Sequence, residues 1–206
     1  MPLIELHFPV LGSALPADHG YALYSALSRV IPSVHEDHVV GIGPIGGQYV
    51  GNGRLQIDSR RSRLRLRLAP ENIVAVLPLA GKSLVIGDHS VRLGVPFVRA
   101  LVPAPNLVAR LVTVKGFTEH AVFLEAVRRQ LQSLDVHGEP GIPLIREGAR
   151  EGQPRRHILR IKDKKVVGFS LQVTGLTAEE SVKLQEHGLG GRRKMGCGFF
   201  VPIVPR

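Results

Sequence analysis

The sequence is poor in the residues that most often announce a site. It has no tryptophan, one cysteine, three tyrosines and seven phenylalanines among 206 residues. A single cysteine excludes an internal disulfide framework and a thiolate-rich zinc centre. So few aromatics argue against broad single-strand binding by base stacking, and favour recognition of structured RNA or DNA by backbone and shape. No apolar run reaches about 18 residues, and "MPLIELHFPV" lacks the basic lead and longer apolar core of a secretory signal. The cytoplasm is the expected location. Lysine is absent from residues 1–81.

Charge, by contrast, is plentiful and uneven. The formal net charge is +10. Residues 1–96 carry 9 basic and 7 acidic side chains, and residues 97–206 carry 18 and 10. A basic half of that size attracts a polyanion. No basic amphipathic helix or lipidation signal accompanies it, so a membrane partner is not expected.

Periodicity organises the chain into two similar halves. "LIELHFPV" alternates as a strand, and Tyr21, Leu23, Tyr24, Leu27, Val30 and Ile31 recur at helical spacing between a cap at Asp18 and a stop at Pro32. "RLRLRL" alternates strictly, "PENIVAVLPLAG" reads as a short helix, and two strands turn at Gly87-Asp88. The second half opens on "FVRALVPAPNLVARLVTVKG", one broken strand or two. A helix follows with Thr118 as cap and Val122, Leu124, Val127 and Leu131 as its apolar stripe. A loop rich in glycine and proline fills residues 138–154. Then come a hairpin turning near Asp163-Lys164, a helix with a Thr177/Glu180 capping box ending at Gly188, and the strand "FFVPIV". Strand–helix–strand–strand–helix–strand, used twice, predicts an α+β fold of tandem ferredoxin-like (RRM-like) domains, with antiparallel sheets and helices on one face. The boundary is expected near residues 94–97, giving domains 1–95 and 96–206.

Gly41-Ile42-Gly43-Pro44-Ile45-Gly46 has dinucleotide-fingerprint spacing, but no helix pattern follows it, so it is read as a loop. His35-Glu36-Asp37-His38 groups four potential metal ligands just after a helix has ended, where they do not share a face, and no metal or other cofactor is expected. His35 does lie on irregular backbone, where catalytic groups are often displayed. The "RLRLRL" arginines fit either a solvated edge strand or a phosphate-tracking surface. Arg155, Arg156, Arg160 and Lys162 gather around the hairpin, as either an ordinary charged turn or a probe of a nucleic-acid groove.

"GLGGRRKMGCGFF" is the densest motif. Gly188, Gly190 and Gly191 precede Arg192, Arg193 and Lys194, and Gly196 and Gly198 follow. Written as G-h-G, five residues, G-h-G, it predicts a backbone cradle for an anion with three cations at its centre. The spacers Leu189 and Cys197 are expected to pack, so no redox role is expected for the cysteine.

That loop between the last helix and last strand, after two ferredoxin-like units, resembles the repeat-associated RNA-binding superfamily of CRISPR systems. In particular it resembles the Cas-six endoribonucleases, and "DHGYALYSAL…IPSVHED" is similar to the Myxococcus-type branch. The resemblance implies metal-independent cleavage of CRISPR precursor RNA within repeats, by 2′-OH attack to a 2′,3′-cyclic phosphate. It implies repeat RNA, in hairpin form, as partner, together with other effector-complex subunits. It points to His35 as the catalytic histidine, with His38 and His19 as alternatives and Tyr24 or Tyr21 as neighbours. The cation for the phosphorane is then Arg192, Arg193 or Lys194, or Ser28 or Arg29 supplies the stabilisation. The competing class is a non-catalytic RNA-binding subunit of the same fold.

Overall fold

A computed structural model describes residues 2–35 and 40–203. The chain forms two compact units, residues 1–100 with 194–196 and residues 101–193 with 197–206. The division falls after Ala100 because Phe97–Ala100 pairs with the first strand of the first unit.

The first unit contains β1 (Ile4–Leu11), β2 (Ala14–Pro16), α1 (Gly20–Val30), β3 (Gly41–Gly43), β4 (Gln48–Tyr49), β5 (Arg54–Gln56) and β6 (Arg63–Leu68). It continues with α2 (Ile73–Val76), β7 (Ser83–Ile86), β8 (His89–Leu93) and β9 (Phe97–Ala100). Its main sheet has the order β3-β6-β1-β8-β7, with β9 also on β1, and every pairing is antiparallel. Strand alternation sends Leu6, Phe8 and Val10 of β1 and Leu64, Leu66 and Leu68 of β6 into the core, beside Leu23, Ala26 and Leu27 of α1. Burying a side chain of that size stabilises by about 1.5–3 kcal/mol. The small sheet β2-β5-β4 stands apart.

The second unit contains β10 (Leu107–Val112), α3 (His120–Ser133), β11 (Glu139–Gly141), β12 (Arg156–Ile161), β13 (Lys164–Thr174), α4 (Ala178–His187) and β14 (Phe200–Pro202). Its sheet runs β11-β13-β10-β14, with β12 on β13. Both units therefore carry the ferredoxin-like order, in which the first and third strands lie side by side at the centre. "FVRALVPAPNLVARLV" is two strands, and they belong to different units.

Several local expectations change. His19 rather than Asp18 occupies the N-cap of α1, and Glu119 rather than Thr118 that of α3; neither makes a side-chain cap bond. The buried stripe of α3 is Phe123, Ala126, Val127 and Leu131, while Val122 is exposed. The 138–154 loop begins with β11, whose pairing with β13 completes the sheet. "RLRLRL" is an interior strand between β1 and β3, so the edge-strand reading fails. Gly41–Gly43 is the short strand β3 rather than loop, because its backbone pairs with β6. Around α2 the chain is mostly 3₁₀, at Pro70–Asn72 and Leu77–Leu79. The Thr177/Glu180 capping box is present with both of its hydrogen bonds.

Candidate nucleic-acid interface

The glycine loop leaves α4 at Gly188, whose φ is 61°. Gly190, Gly196 and Gly198 also have positive φ, a conformation that costs a side-chain-bearing residue about 1–2 kcal/mol. Space is as decisive as angle. A Cβ on Gly188 would overlap the carbonyl oxygen of Gly198, one on Gly198 that of Leu189, and one on Gly190 that of Thr113. The two G-h-G ends thus lie against one another and against the end of β10. Leu189 and Cys197 fill the core between them, as expected.

Four of the loop's glycine amides are consequently bonded inside the protein. Gly188 N–H donates to Leu184 O (2.9 Å), Gly190 N–H to Gln130 Oε1 (2.8 Å), Gly191 N–H to Thr113 O (3.0 Å) and Gly198 N–H to Leu111 O (2.8 Å). For Gly188, Gly190, Gly191 and Gly198 the expectation of N–H groups aimed at RNA is corrected: these glycines permit close packing within the protein. Gly196 lies in the half-buried arm of the loop. The cations also separate. Arg193 sends Nη2 back to the carbonyl of Glu186 and packs over Gly188, so it serves the loop. Arg192 is exposed, with φ 64°, and Lys194 is half-buried in the 3₁₀ turn Arg193–Met195. Arg192 lines a pocket of about 460 Å³ with Thr113, Lys115, Gln130 and Gly191. Nothing in the sequence marks Lys115, because it stands alone in a loop remote from the motif.

The hairpin carries the second group of cations. Only the first half of β13, Lys164–Phe169, pairs with β12, while the second half pairs with β10 and β11. The turn end is therefore a two-stranded ribbon that extends past the sheet, and Lys162 turns it with φ 51°. Arg155, Arg156, Arg160 and Lys162 are all exposed. Arg156 also lines a pocket of about 400 Å³ with His120, Arg150, Gln153 and Phe169. The next residue, His157, is held by Ser170: His157 Nε2–H donates to Ser170 Oγ (2.9 Å), whose hydroxyl donates to Arg110 O (2.7 Å). Burial first, then the charges of Arg110, Arg155 and Arg150, push His157 down to about 4. It is neutral at neutral pH.

The proton-transfer candidates belong to the first unit. His19 is buried, with Nδ1 donating to Pro16 O (2.8 Å) and Nε2 accepting from Ile45 N–H (3.0 Å). Both ring nitrogens are occupied by backbone, so His19 fixes a loop and is removed from the catalytic candidates. Tyr24 packs half-buried against the core. His35 closes the 3₁₀ turn Pro32–His35 that directly follows α1. Its side chain, and all of His38, lie outside the described residues. Arg29 is exposed in the last turn of α1, whereas Ser28 Oγ donates back to Tyr24 O (2.9 Å). Among the described residues no three His, Cys, Asp or Glu side chains group as metal ligands, and no helix is long and apolar enough to cross a membrane.

Comparison with known proteins covers nearly the whole chain. The family model described as Cas6 Crispr matches residues 4–204. The CRISPR-associated endonuclease Cas6 of Myxococcus xanthus is 43% identical over 202 residues, 98% of this chain and 82% of that protein. Among solved structures, a Cas6-related protein from Pyrococcus furiosus aligns with a TM-score of 0.65 at 14% identity, covering 99% of this chain and 100% of that one. A structure titled "An RAMP protein binding different RNA substrates" aligns with a TM-score of 0.61 at 14% identity, over 99% and 100% of the two chains. At those identities the structures establish the tandem fold, and the sequence matches establish the lineage: the chain belongs to the Cas6 family of CRISPR proteins.

Proposed function

We propose that this protein binds CRISPR precursor RNA and cleaves it within each repeat, with His35 moving the proton at the scissile phosphate. The observation that carries the reading is its 43% identity over 202 residues to a CRISPR-associated endonuclease. The 2′-OH attacks the adjacent phosphorus, the P–O2′ bond forms and the P–O5′ bond breaks. The 2′-OH proton passes to a base, and an acid protonates the departing O5′. The products are a 2′,3′-cyclic phosphate and a 5′-hydroxyl. A histidine near its ordinary pKa of about 6.5 serves in either role at neutral pH. Arg29, exposed at the end of α1, is the cation of the first unit best placed in the sequence to stabilise the phosphorane.

Binding is assigned to the second unit. Arg192 and Lys115 beside the glycine loop contact one stretch of backbone, and Arg156, Arg160 and Lys162 on the ribbon engage a structured repeat, a hairpin. Both groups read phosphates, in keeping with the scarcity of aromatics. No described side chain is assigned to a cofactor. Other CRISPR effector subunits are further partners, and the cytoplasm, where the precursor is transcribed, is the place of action.

The test is cleavage of the repeat RNA in excess EDTA, with the product ends identified. One cut leaving a cyclic phosphate, and none when the cut site carries a 2′-deoxyribose, is the expected result. Metal-dependent cleavage to a 3′-hydroxyl overturns it. Tight binding that leaves the RNA intact would instead make the protein a non-catalytic subunit.

A further inference from the structure

The arginines of "RLRLRL" belong to neither group above, and the register of the first sheet shows what they build. β1 pairs with β6 on one side and β9 on the other, with His7 opposite both Arg65 and Phe97, and Glu5 opposite both Arg67 and Arg99. Residues in register across antiparallel strands share a face. The face opposite the core therefore carries two rows, Arg65–His7–Phe97 and Arg67–Glu5–Arg99. Next to β6, Gly43 and Gly41 stand opposite Arg65 and Arg67, so β3 adds no side chain beside the arginines. Two glycines of the dinucleotide-like spacing thus acquire a use.

The charges on this face do not cancel. Glu5 is the one carboxylate in the two rows, and it is engaged on both oxygens: Arg67 donates to Oε1 through Nε (3.0 Å) and Nη2 (2.6 Å), and His7 Nε2 lies 2.7 Å from Oε2. Arg61, Arg63, Arg65 and Arg99 line a pocket of about 390 Å³ with His7, Phe97 and Gly46. Among these four, Arg61 has the exposed Asp58 at 3.8 Å as its counter-charge among the described residues, and Arg63 is steadied by the carbonyls of Ser59, Arg60 and Ser62. Burial draws the Arg65 guanidinium below its usual range, and Glu5 opposes this. Arg99 lies 5.5 Å over the Phe97 ring, and His7 tilts against the same ring at 5.4 Å. Phe97 nonetheless remains 38% exposed.

We propose that the pocket on this sheet face is a second RNA site, in which Arg61, Arg63, Arg65 and Arg99 hold successive phosphates of a single strand and Phe97 meets a sugar or base edge. The inference rests on the RNA-processing function proposed above. Arginine rather than lysine suits it, since the guanidinium fork bonds phosphate through two donors. Arg63 and Arg65 alternate along one strand at about 6.7 Å, comparable to the step between phosphates of an extended strand. An acidic peptide would use the arginines and leave the His7–Phe97 plate without a purpose.

The test uses the full chain, oligouridylate and the repeat RNA, with affinities measured by anisotropy over a salt series. Arg61→Ala/Arg99→Ala removes two exposed cations and leaves the Glu5–Arg67 pair in place, so the fold is retained. The log-log salt slope for oligouridylate should become shallower by about 1.4, at about 0.7 per lost contact. Lys82→Ala, an exposed cation of the same unit outside the pocket, should leave that slope unchanged. A strand carrying 5-iodouridine should crosslink to the peptides containing His7 or Phe97. An unchanged slope in the double variant, or crosslinks confined to the second unit, overturns the second site. If the repeat RNA is still cut, that failure leaves the processing function standing. If no RNA binds the wild-type chain, both readings fall together.

Discussion

In the first unit a row of arginines stands on the sheet itself, and in the second the cations assigned to RNA stand on excursions from it. Arg63, Arg65 and Arg67 rise from an interior strand, and the sheet holds them with a carboxylate buried among them. In the second unit the corresponding central strands place Val108 opposite Gln172 on the face away from the core, and the cations assigned to RNA occupy the ribbon and the glycine loop. Charge on a sheet requires internal compensation, because desolvating an arginine is costly unless a partner offsets it. Charge on an exposed ribbon or loop, as at Arg156, Lys162 and Arg192, keeps contact with water and needs no such carboxylate. One topology therefore supports two kinds of basic surface, and their dependence on partners differs.

Removing the internal carboxylate puts this difference to its hardest trial. Arg67 is fully buried against Glu5, so Glu5→Gln leaves an uncompensated buried charge and should cost about 3–5 kcal/mol. Replacing both residues with methionine should restore most of that. Urea denaturation checks both, and a single variant as stable as wild type would show that the pair is not holding the sheet. No comparable loss should follow removal of any single ribbon cation.

Acid separates the units in a second way. In the second unit His157 has a folded pKa of about 4 against an ordinary 6.5. The unfolded chain takes up a proton the folded chain refuses, so this contribution is full above pH 6.5 and is lost as the pH falls from 6.5 to 4. In the first unit burial by itself would raise Glu5, but the His7 hydrogen bond and the charges of Arg67 and Arg65 hold it at about 2. Its contribution is full above about pH 4.5 and is lost between 4.5 and 2. Amide exchange read unit by unit should show the second unit weakening first, by up to about 3 kcal/mol, since each tenfold change in proton affinity is worth about 1.4 kcal/mol. His157→Gln should erase that window, and Glu5→Gln should erase the lower one.

How much of this was legible follows from range along the chain. The capping box of α4 lies within four residues and was readable in full. The two-fold element order emerged from periodicity, and with it the fold class. Caps at Asp18 and Thr118 were misplaced by one residue, because the true N-caps, His19 and Glu119, are the next residues along and make no side-chain cap bond that would mark them. Glycine crowding in the loop was visible, but its purpose was not. Besides one another, those glycines approach atoms of Leu111, Thr113 and Gln130, more than fifty residues away in the chain. The two rows on the first sheet were hidden for the same reason, since Glu5 and Arg67 meet only through strand register. His19 has the residue type and position of a catalytic group, and only the backbone atoms on both its nitrogens show that it is structural.

On the proposed function, labour is divided between the units: chemistry is assigned to His35 in the first and grip to Arg192 in the second. Single-turnover cleavage of the repeat RNA at saturating protein, with dissociation constants measured alongside, separates the two roles. His35→Ala should slow cleavage by about 10²–10⁴ while its dissociation constant stays within about twofold of wild type. Arg192→Ala should weaken binding and flatten the salt slope by about 0.7–0.9, with the saturated rate unchanged. Cleavage by His35→Ala at the wild-type rate would refute that division.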